Sequence, residues 1–504
     1  MEPKFLEAVR AAFPPGGGSL TLGAPVRAGE CHPEPLIGLP LGMANRHGLV
    51  AGATGTGKTK SIQLLAEQLS AAGVPVFLAD VKGDVSGLGA PGESNEKVQQ
   101  RAKETGCAWK PAACPVEFLS LTGQRGAQVR ATVSSFGPLL LAKVLGLNET
   151  QTSVLAMVVK YADDRQLELL NFADLRAVLQ HLSGAGASDL KDYGGMSKAT
   201  VGVLLREMVE LEQQGALAFF GEPELDLKDL MQIERDGRGL VTVLELSDAQ
   251  DKPALFSTFM MWMLARLYHE LPEVGDLDKP KLVFFFDEAH LLFDGASKAF
   301  LDEVRQVIRL IRSKGVGIFF ITQSPKDVPA DVLGQLGHKV QHALRAFTPD
   351  DATALKAAAR TFPKTDFYDV EATLQSLGIG EALVTVLAPN GVPTAPFATR
   401  MLPPASRMGP LTEAEMQQRL ASSAQVRKYA QAVDRESAEE KLAQPAAPAQ
   451  AAPEIEAPAK RGAKPTPSMI EEILKSPVTR TVAGQITRGL MGALLGSPPR
   501  RRRY

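Results

Sequence analysis

Short apolar runs alternate along the chain with longer stretches that have one apolar face, a pattern typical of alternating strands and helices. Runs at 48–51 and 74–80 predict two strands, and 58–71 predicts the helix between them. Strand, loop, helix and strand in this order predict the opening of a parallel α/β sheet. Later elements are predicted as strands at 240–246, 281–286, 317–322, 339–344 and 381–387, with helices at 251–270, 298–314 and 350–360.

The pattern changes between residues 125 and 235, where apolar positions recur at helical spacing and strand signals are few. We interpret this region as a helical insertion, with predicted helices at 138–160, 164–182, 198–215 and 224–234. It divides the predicted core into two parts, 46–124 and 236–403. A short β-rich lead-in, 1–45, precedes the core.

Beyond residue 403 the apolar periodicity weakens. Residues 404–443 predict a helical extension, with 411–443 as one charged, alanine-rich helix. Residues 444–467 predict a linker, because six prolines stand there among alanines. Residues 468–504 predict a short helix, expected to dock on the protein or on a partner, and a basic end, Arg500 to Arg503. We therefore expect a partly disordered C-terminal tail.

Residues 52–59, GATGTGKT, match the phosphate-loop pattern G-x-x-x-x-G-K-[ST] between a predicted strand and a predicted helix. Backbone N–H groups must wrap the phosphates there, and the start of the helix adds N–H donors and partial positive charge. The lysine supplies a point charge, and the threonine hydroxyl can bind Mg²⁺. The predicted nucleotide-binding residues are Gly52, Thr54, Gly55, Thr56, Gly57, Lys58 and Thr59.

A continuous apolar run at 282–286 predicts a central strand buried on both faces, and Asp287 and Glu288 follow it. Ligands bind at the carboxyl ends of the strands in open α/β sheets. Asp287 is predicted to hold Mg²⁺, through a water molecule, and Glu288 to activate the attacking water. The alternative is that the two carboxylates cap the next helix.

Polar residues follow two other predicted strands. Gln323 ends the run FFITQ and is predicted to sense the γ-phosphate or to orient water, although a plain turn residue is the alternative. Asp80 ends the run VFLAD and either supports the magnesium shell or caps its own loop.

Arginines recur on the helix predicted at 298–314, and its end is expected near the nucleotide-binding edge of the sheet. In a ring that edge meets the next subunit, so an arginine there is predicted to reach the neighbour's γ-phosphate. Arg312 is the first choice, followed by Arg309 and Arg345; a solvated helix face is the alternative. Arg46, just before the strand at 48–51, either marks a plain strand start or contacts nucleotide in its own subunit.

Composition narrows the class of protein. The chain is 44% hydrophobic and 22% charged, as in globular proteins, and its formal net charge of −2 argues against a basic nucleic-acid-binding surface over the whole molecule. Three cysteines do not suggest a disulfide framework. The N-terminus does not resemble a signal peptide and no apolar stretch is long enough to span a membrane, so we expect a cytoplasmic protein.

The motifs together resemble the HerA/FtsK superfamily, and most of all the bacterial HerA-like "helicase-like" ATPase group. The resemblance rests on residues 45–59, 80–84, 286–290, 312–317 and 321–325, which occur in the superfamily's order. It implies a RecA-like core, hexameric rings, hydrolysis of Mg-ATP and, as in HerA and FtsK, movement on double-stranded DNA. It also implies that Arg312 acts between subunits and that Arg46 lies near nucleotide.

The sequence therefore predicts a Mg-dependent ATPase that forms a ring and acts on DNA. The alternative function is a nucleotide switch that recruits a protein partner without moving DNA. Glu288 argues for hydrolysis, since a nucleotide-binding switch does not need a catalytic carboxylate.

Overall fold

A sheet of 13 strands is the framework of the protein. The computed structural model describes residues 2–14, 18–293, 298–433 and 435–443. The strands are β1 (Ser19–Arg27), β2 (Glu30–Cys31), β3 (Ile37–Pro40), β4 (Gly48–Ala51), β5 (Val76–Asp80), β6 (Val116–Ser120), β7 (Ala127–Gln128), β8 (Val241–Glu245), β9 (Leu282–Phe286), β10 (Val316–Thr322), β11 (His338–His342), β12 (Glu381–Thr385) and β13 (Phe397–Met401).

Most of the sheet is parallel, as predicted. The parallel strands follow the order β11-β4-β10-β9-β5-β8-β6-β7. Beyond β11, the sheet continues antiparallel through β12, β13 and β1, and β1 also pairs with β2 and β3. The β-rich lead-in is thus hydrogen-bonded into the same sheet as the core, through the pairing of β1 with β13.

Helices cover both faces of the sheet, because successive residues of a buried strand point to opposite sides. In β4, Leu49 and Ala51 join one apolar core and Val50 joins the other. The helices are α1 (Glu2–Ala12), α2 (Lys58–Ala71), α3 (Glu96–Thr105), α4 (Val133–Val144), α5 (Glu149–Asp164), α6 (Phe172–Ser183), α7 (Lys198–Leu211), α8 (Leu217–Phe219), α9 (Pro253–Glu270), α10 (His290–Phe293), α11 (Lys298–Ile311), α12 (Ala330–Leu333), α13 (Pro349–Ala359), α14 (Val370–Ser376), α15 (Glu413–Ser422), α16 (Ala424–Tyr429) and α17 (Ala438–Ala443).

Helices α4 to α8 lie between β7 and β8 and form the helical insertion. The single helix predicted at 138–160 is wrong. Gly146 takes a left-handed conformation (φ 63°) after α4, and Asn148 then caps a new helix, α5, by accepting from the backbone N–H of Gln151. A glycine followed by a capping residue ends one helix and starts the next.

Two features near the ends of the described chain differ from what the sequence pattern predicts. The single helix predicted at 411–443 is three helices, α15 to α17, because Ser423 ends α15 and its side chain caps α16. Helix α1, which buries Phe5 and Val9, was not predicted. The predicted linker and the C-terminal helix lie outside the described residues. No helix within the described ranges combines the length and apolarity needed to cross a bilayer.

Candidate functional site

The phosphate-loop sequence forms a tight turn between β4 and α2. Its glycines are needed for shape: Gly57 has φ 115°, and a Cβ on Gly52 would stand 2.5 Å from the Cβ of His342. Thr56 is buried and its hydroxyl donates to the carbonyl of Ala53 (2.6 Å). Thr54 and Gly55 are exposed at the tip. The loop is therefore folded as a cradle open at the start of α2.

Lys58 points back into this loop. Its Nζ donates to the carbonyls of Gly52 (2.6 Å) and Ala53 (3.2 Å). Burial lowers the pKa of Lys58, and the nearby carboxylates of Glu288 and Asp287 oppose that shift. Those two carboxylates therefore lie close enough to Lys58 to act on its charge.

Strand β10 brings the two main motifs together, because it lies between β4 and β9. The backbone N–H of Gly52 donates to the carbonyl of Thr322 (3.2 Å), and that of Ala289 donates to the carbonyl of Ile321 (2.8 Å). The phosphate loop and the segment after β9 are thus both hydrogen-bonded to the last two residues of β10. Gln323 comes next and is exposed beside them.

Asp287 and Glu288 are both buried, each with 6% exposure. Burial, and then the Glu288 carboxylate, raises the pKa of Asp287 to about 7. Glu288 has a left-handed backbone (φ 48°), which is uncommon for a residue with a side chain, and such strained residues recur at active sites.

The Glu288 carboxylate lies between two basic groups. Its Oε1 forms an ion pair with Lys82, and its Oε2 lies 3.4 Å from His290 Nδ1. Although burial alone would lower it, the hydrogen bond to Glu288 raises the pKa of Lys82. The ion pair therefore fixes Glu288 and balances its charge.

An acidic cluster lies next to Asp287. One carboxylate oxygen from each of Asp80, Asp84 and Asp287 lies within 4.8 Å of the others. The Thr59 hydroxyl lies 3.4 Å from Asp84 Oδ2, and Asp84 Oδ1 is buried without a hydrogen-bond partner among the described residues. Mg²⁺ prefers oxygen ligands, and those on opposite sides of the ion stand about 4 Å apart. The residues therefore fit a magnesium ion.

Asp80 also caps its own loop, the alternative considered from the sequence. It accepts from the backbone N–H groups of Lys82 (3.2 Å), Gly83 (2.8 Å) and Val85 (3.0 Å). Burial raises the pKa of Asp80 to about 6. The sequence pattern assigns no role to Lys82 or Asp84. Both follow Asp80 in the segment DVKGD at the end of a strand, and that position is the signal that could identify them.

Arg312 lies at the opposite edge of the sheet. It begins the turn Arg312–Lys314 before β10, and the seven residues of β10 then separate it from Gln323 by about 20 Å. The prediction that α11 ends near the nucleotide-binding edge is therefore wrong. A helix that crosses back over a parallel sheet runs opposite to its strands, so it ends where the next strand begins.

Arg46 lies at that same opposite edge, before the start of β4, and its guanidinium is paired with Asp276 (2.8 Å). The structure does not bring Arg46 to the phosphate loop of its own subunit. A cavity of about 500 Å³ opens there instead. Its lining includes four basic side chains, which belong to Arg46, Arg309, Arg312 and Lys339.

Comparisons with known proteins identify the family and the fold. The family model "Helicase HerA-like C-terminal" matches residues 26–468. No curated protein sequence matches the chain.

Among solved structures, unbound bacterial conjugative coupling protein TrwBdeltaN70 has 15% identity and a TM-score of 0.50, with 80% of this chain and 94% of that chain covered. VirB4 of Thermoanaerobacter pseudethanolicus has 14% identity and a TM-score of 0.47, with 80% and 99% covered. At such identities the first likeness shows a shared fold.

Proposed function

The chain belongs to the helicase HerA-like C-terminal family and is an ATPase, and from that premise we propose that it works as a Mg²⁺-dependent ring motor on double-stranded DNA. The DNA part of the proposal rests on the family, and one observation supports the ring. The phosphate loop and Glu288 meet at the end of β10, whereas the basic cavity lies at the other edge of the same sheet. With catalytic residues at one edge and arginines at the other, the two edges would meet between neighbouring subunits of a head-to-tail ring.

The phosphate loop binds the β- and γ-phosphates of ATP. Lys58 releases the carbonyls of Gly52 and Ala53, to which it now donates, and places its ammonium on the phosphates. Backbone N–H groups at the start of α2 supply further donors. The phosphates thus replace the carbonyls of Gly52 and Ala53 as hydrogen-bond partners of the buried Lys58 ammonium.

Thr59, Asp287 and Asp84 would hold Mg²⁺, with Asp80 behind them. Bound there, it would neutralise charge on the phosphate oxygens. Asp287 would then have the Mg²⁺-holding role predicted from the sequence, and Asp84 would add an oxygen ligand that the sequence pattern does not predict. Bringing three carboxylates so close costs energy, and a divalent cation offsets that cost.

Glu288 takes a proton from the attacking water. The water oxygen bonds to the γ-phosphorus, the bond to the β–γ bridging oxygen breaks, and ADP and phosphate leave. Lys82 holds Oε1 of Glu288 in its ion pair and so positions the base, whereas Oε2 is buried without a hydrogen-bond partner among the described residues and is the oxygen that accepts the proton. Gln323, exposed beside Glu288 at the end of β10, orients the water.

Arg312 acts on the nucleotide of the next subunit. It cannot reach its own phosphate loop across the length of β10. Arg46 lines the same cavity, so we assign it to the same neighbour rather than to its own subunit. In a head-to-tail ring, each basic cavity would face the acidic edge of the following copy.

The experiment measures particle mass and ATP turnover together. Glu288→Gln protein with Mg-ATP should form a ring by light scattering, and wild-type turnover should rise when duplex DNA is added. Turnover without any DNA effect, together with a monomeric mass, would favour the nucleotide switch over the motor. Lys58→Ala protein is the control, since it should neither bind ATP nor respond to DNA.

A further inference from the structure

Two large apolar side chains stand in solvent at the nucleotide-binding edge. Phe347 is 88% exposed and Ile379 is 74% exposed, the highest values for large hydrophobic side chains among the described residues. Scattered exposed apolar groups are ordinary on protein surfaces. These two are unusual because both belong to loops attached to the phosphate loop.

The loop that carries Ile379 is held against the phosphate loop. The backbone N–H of Gly380 donates to the carbonyl of Thr56 (2.9 Å), and the Gly380 Cα would stand 3.2 Å from a Cβ on Gly57. Arg101 holds the loop from the other side, donating to the carbonyls of Gly380 (2.8 Å) and Ile379 (2.9 Å). Ile379 is therefore fixed close to where phosphates bind.

The loop that carries Phe347 follows β11, the strand beside β4. The Ala53 N–H donates to the carbonyl of Ala343 (2.9 Å), which joins the start of this loop to the phosphate loop. The Phe347 N–H donates to Asp351 Oδ2 (3.1 Å), so the backbone under the ring is held at the start of α13.

Arg345 joins the two loops. Its guanidinium donates to the carbonyls of Gln375 and Leu377, the latter at 3.4 Å. Arg345 thus ties the two loops together within its own subunit and lies at the wrong edge for the role first considered for it. Phe347 lies two residues after Arg345, and Ile379 lies two residues after Leu377, whose carbonyl accepts from Arg345.

We propose that Phe347 and Ile379 form an apolar platform that receives the adenine base of the bound nucleotide. This rests on the proposed function, since the phosphates must occupy residues 52–59 for the base to reach the platform. A purine presents a flat π-face, and stacking on an aromatic ring favours it without base-specific hydrogen bonds. Because both loops are already tied down, little conformational entropy is lost on binding.

The test compares ATP with inorganic tripolyphosphate, which has the phosphates but no base. Calorimetry in Mg²⁺ should show ATP binding to Phe347→Ala protein weakened about tenfold, with tripolyphosphate binding unchanged. Ile379→Ser should act in the same direction, and Phe347→Tyr should restore ATP affinity. Leu217→Ala, which trims an exposed apolar side chain in the helical insertion (69% exposed), is the matched control and should change neither.

Equal weakening of ATP and tripolyphosphate would overturn the proposal, because the loops would then act only through the phosphate loop. No change with either ligand would also overturn it, and so would a loss of ring mass at unchanged affinity, which would make Phe347 a contact between copies. ATP binding that survives Lys58→Ala is a different result, since it defeats the phosphate-loop assignment itself.

Discussion

The two edges of the parallel sheet differ in charge and in chemistry. At the carboxyl ends of the strands lie the glycine loop and the carboxylates of Asp80, Asp84, Asp287 and Glu288. At the amino ends, Arg46, Arg309, Arg312 and Lys339 line one cavity. Arg46 and Gly52 are close in sequence, yet β4 puts them at opposite edges. The direction of the strands therefore decides which charged residues share an edge, and their separation along the sequence does not.

The contrast supports the proposal that one subunit by itself is an incomplete site. Burial raises the pKa values of Asp80 and Asp287, and these close carboxylates call for cations. Lys82 balances Glu288, and Mg²⁺ with Lys58 would balance the three aspartates, so the phosphates of bound ATP would still need positive charge. The other edge carries the arginines that a hydrolysing site would need. Complementary edges favour head-to-tail association, in which each subunit completes the next.

The largest effect should come from the catalytic carboxylate. Glu288→Gln should lower turnover about 1,000-fold, because the amide cannot accept the proton of the attacking water. ATP binding should persist, since the shape of the residue is kept. Turnover and ATP affinity are measured on the same protein, with Glu210→Gln on an exposed face of α7 as control. Wild-type turnover in Glu288→Gln protein would remove Glu288 as the base.

A smaller loss should follow at the opposite edge. Arg312→Ala should lower turnover about 100-fold, as removal of one group that stabilises transition-state charge commonly does. Mixing Arg312→Ala with Lys58→Ala subunits should restore part of the activity. The reason is that some interfaces in the mixed rings join the intact phosphate loop of an Arg312→Ala subunit to the intact Arg312 of a Lys58→Ala subunit.

Arg305→Ala provides the matched control for that mixing experiment. Arg305 lies on α11, the helix that leads into the turn with Arg312, but it is paired with Asp302 (3.0 Å) and Asp331 (2.8 Å) instead of lining the cavity. It should retain turnover alone and gain nothing from mixing. An Arg312→Ala mixture that stays inactive would contradict action between subunits.

A third effect concerns stability, and it involves two buried histidines, one before β4 and one at the start of β11. His47 accepts from the Ile318 N–H at Nδ1 (3.0 Å) and contacts the Ile308 carbonyl through Nε2 (2.8 Å), which requires a neutral ring. His338 is held in the same way, between the Leu387 N–H and the Met43 carbonyl. Burial lowers the pKa of both rings to about 4.

Both rings titrate near 6.5 once unfolded, so the unfolded chain binds the protons first. The free energy of unfolding should therefore fall as pH drops from about 6.5 to about 4, by about 3 kcal/mol for each ring. Urea unfolding of wild type and His338→Gln across this range should show a shallower fall in the variant. Replacement of the exposed His269 should not change the slope, and identical slopes for His338→Gln and wild type would refute this assignment.

The local pattern predicted most of the elements and all of the phosphate loop. Runs such as LVFFF give β9 because apolar side chains there fill both faces of a covered sheet. The predictions went wrong where helices end. Gly146 and Ser423 each divided a predicted helix, since a left-handed turn or a capping side chain outweighs a periodicity that continues past it.

The order of motifs by itself determined that this chain has a phosphate loop, a strand-end carboxylate pair and a strand-end glutamine, because backbone geometry and charge require those residue types. Only the tertiary structure decided which of them meet. Hydrogen bonds to the end of β10 join Gly52 with Ala289, and the folding of the loop after β5 adds Lys82 and Asp84. Strand direction places Arg46 and Arg312 at the amino ends of the strands. Both precede a parallel strand, and the phosphate loop and carboxylates follow one, so the two sets lie at opposite edges of the sheet.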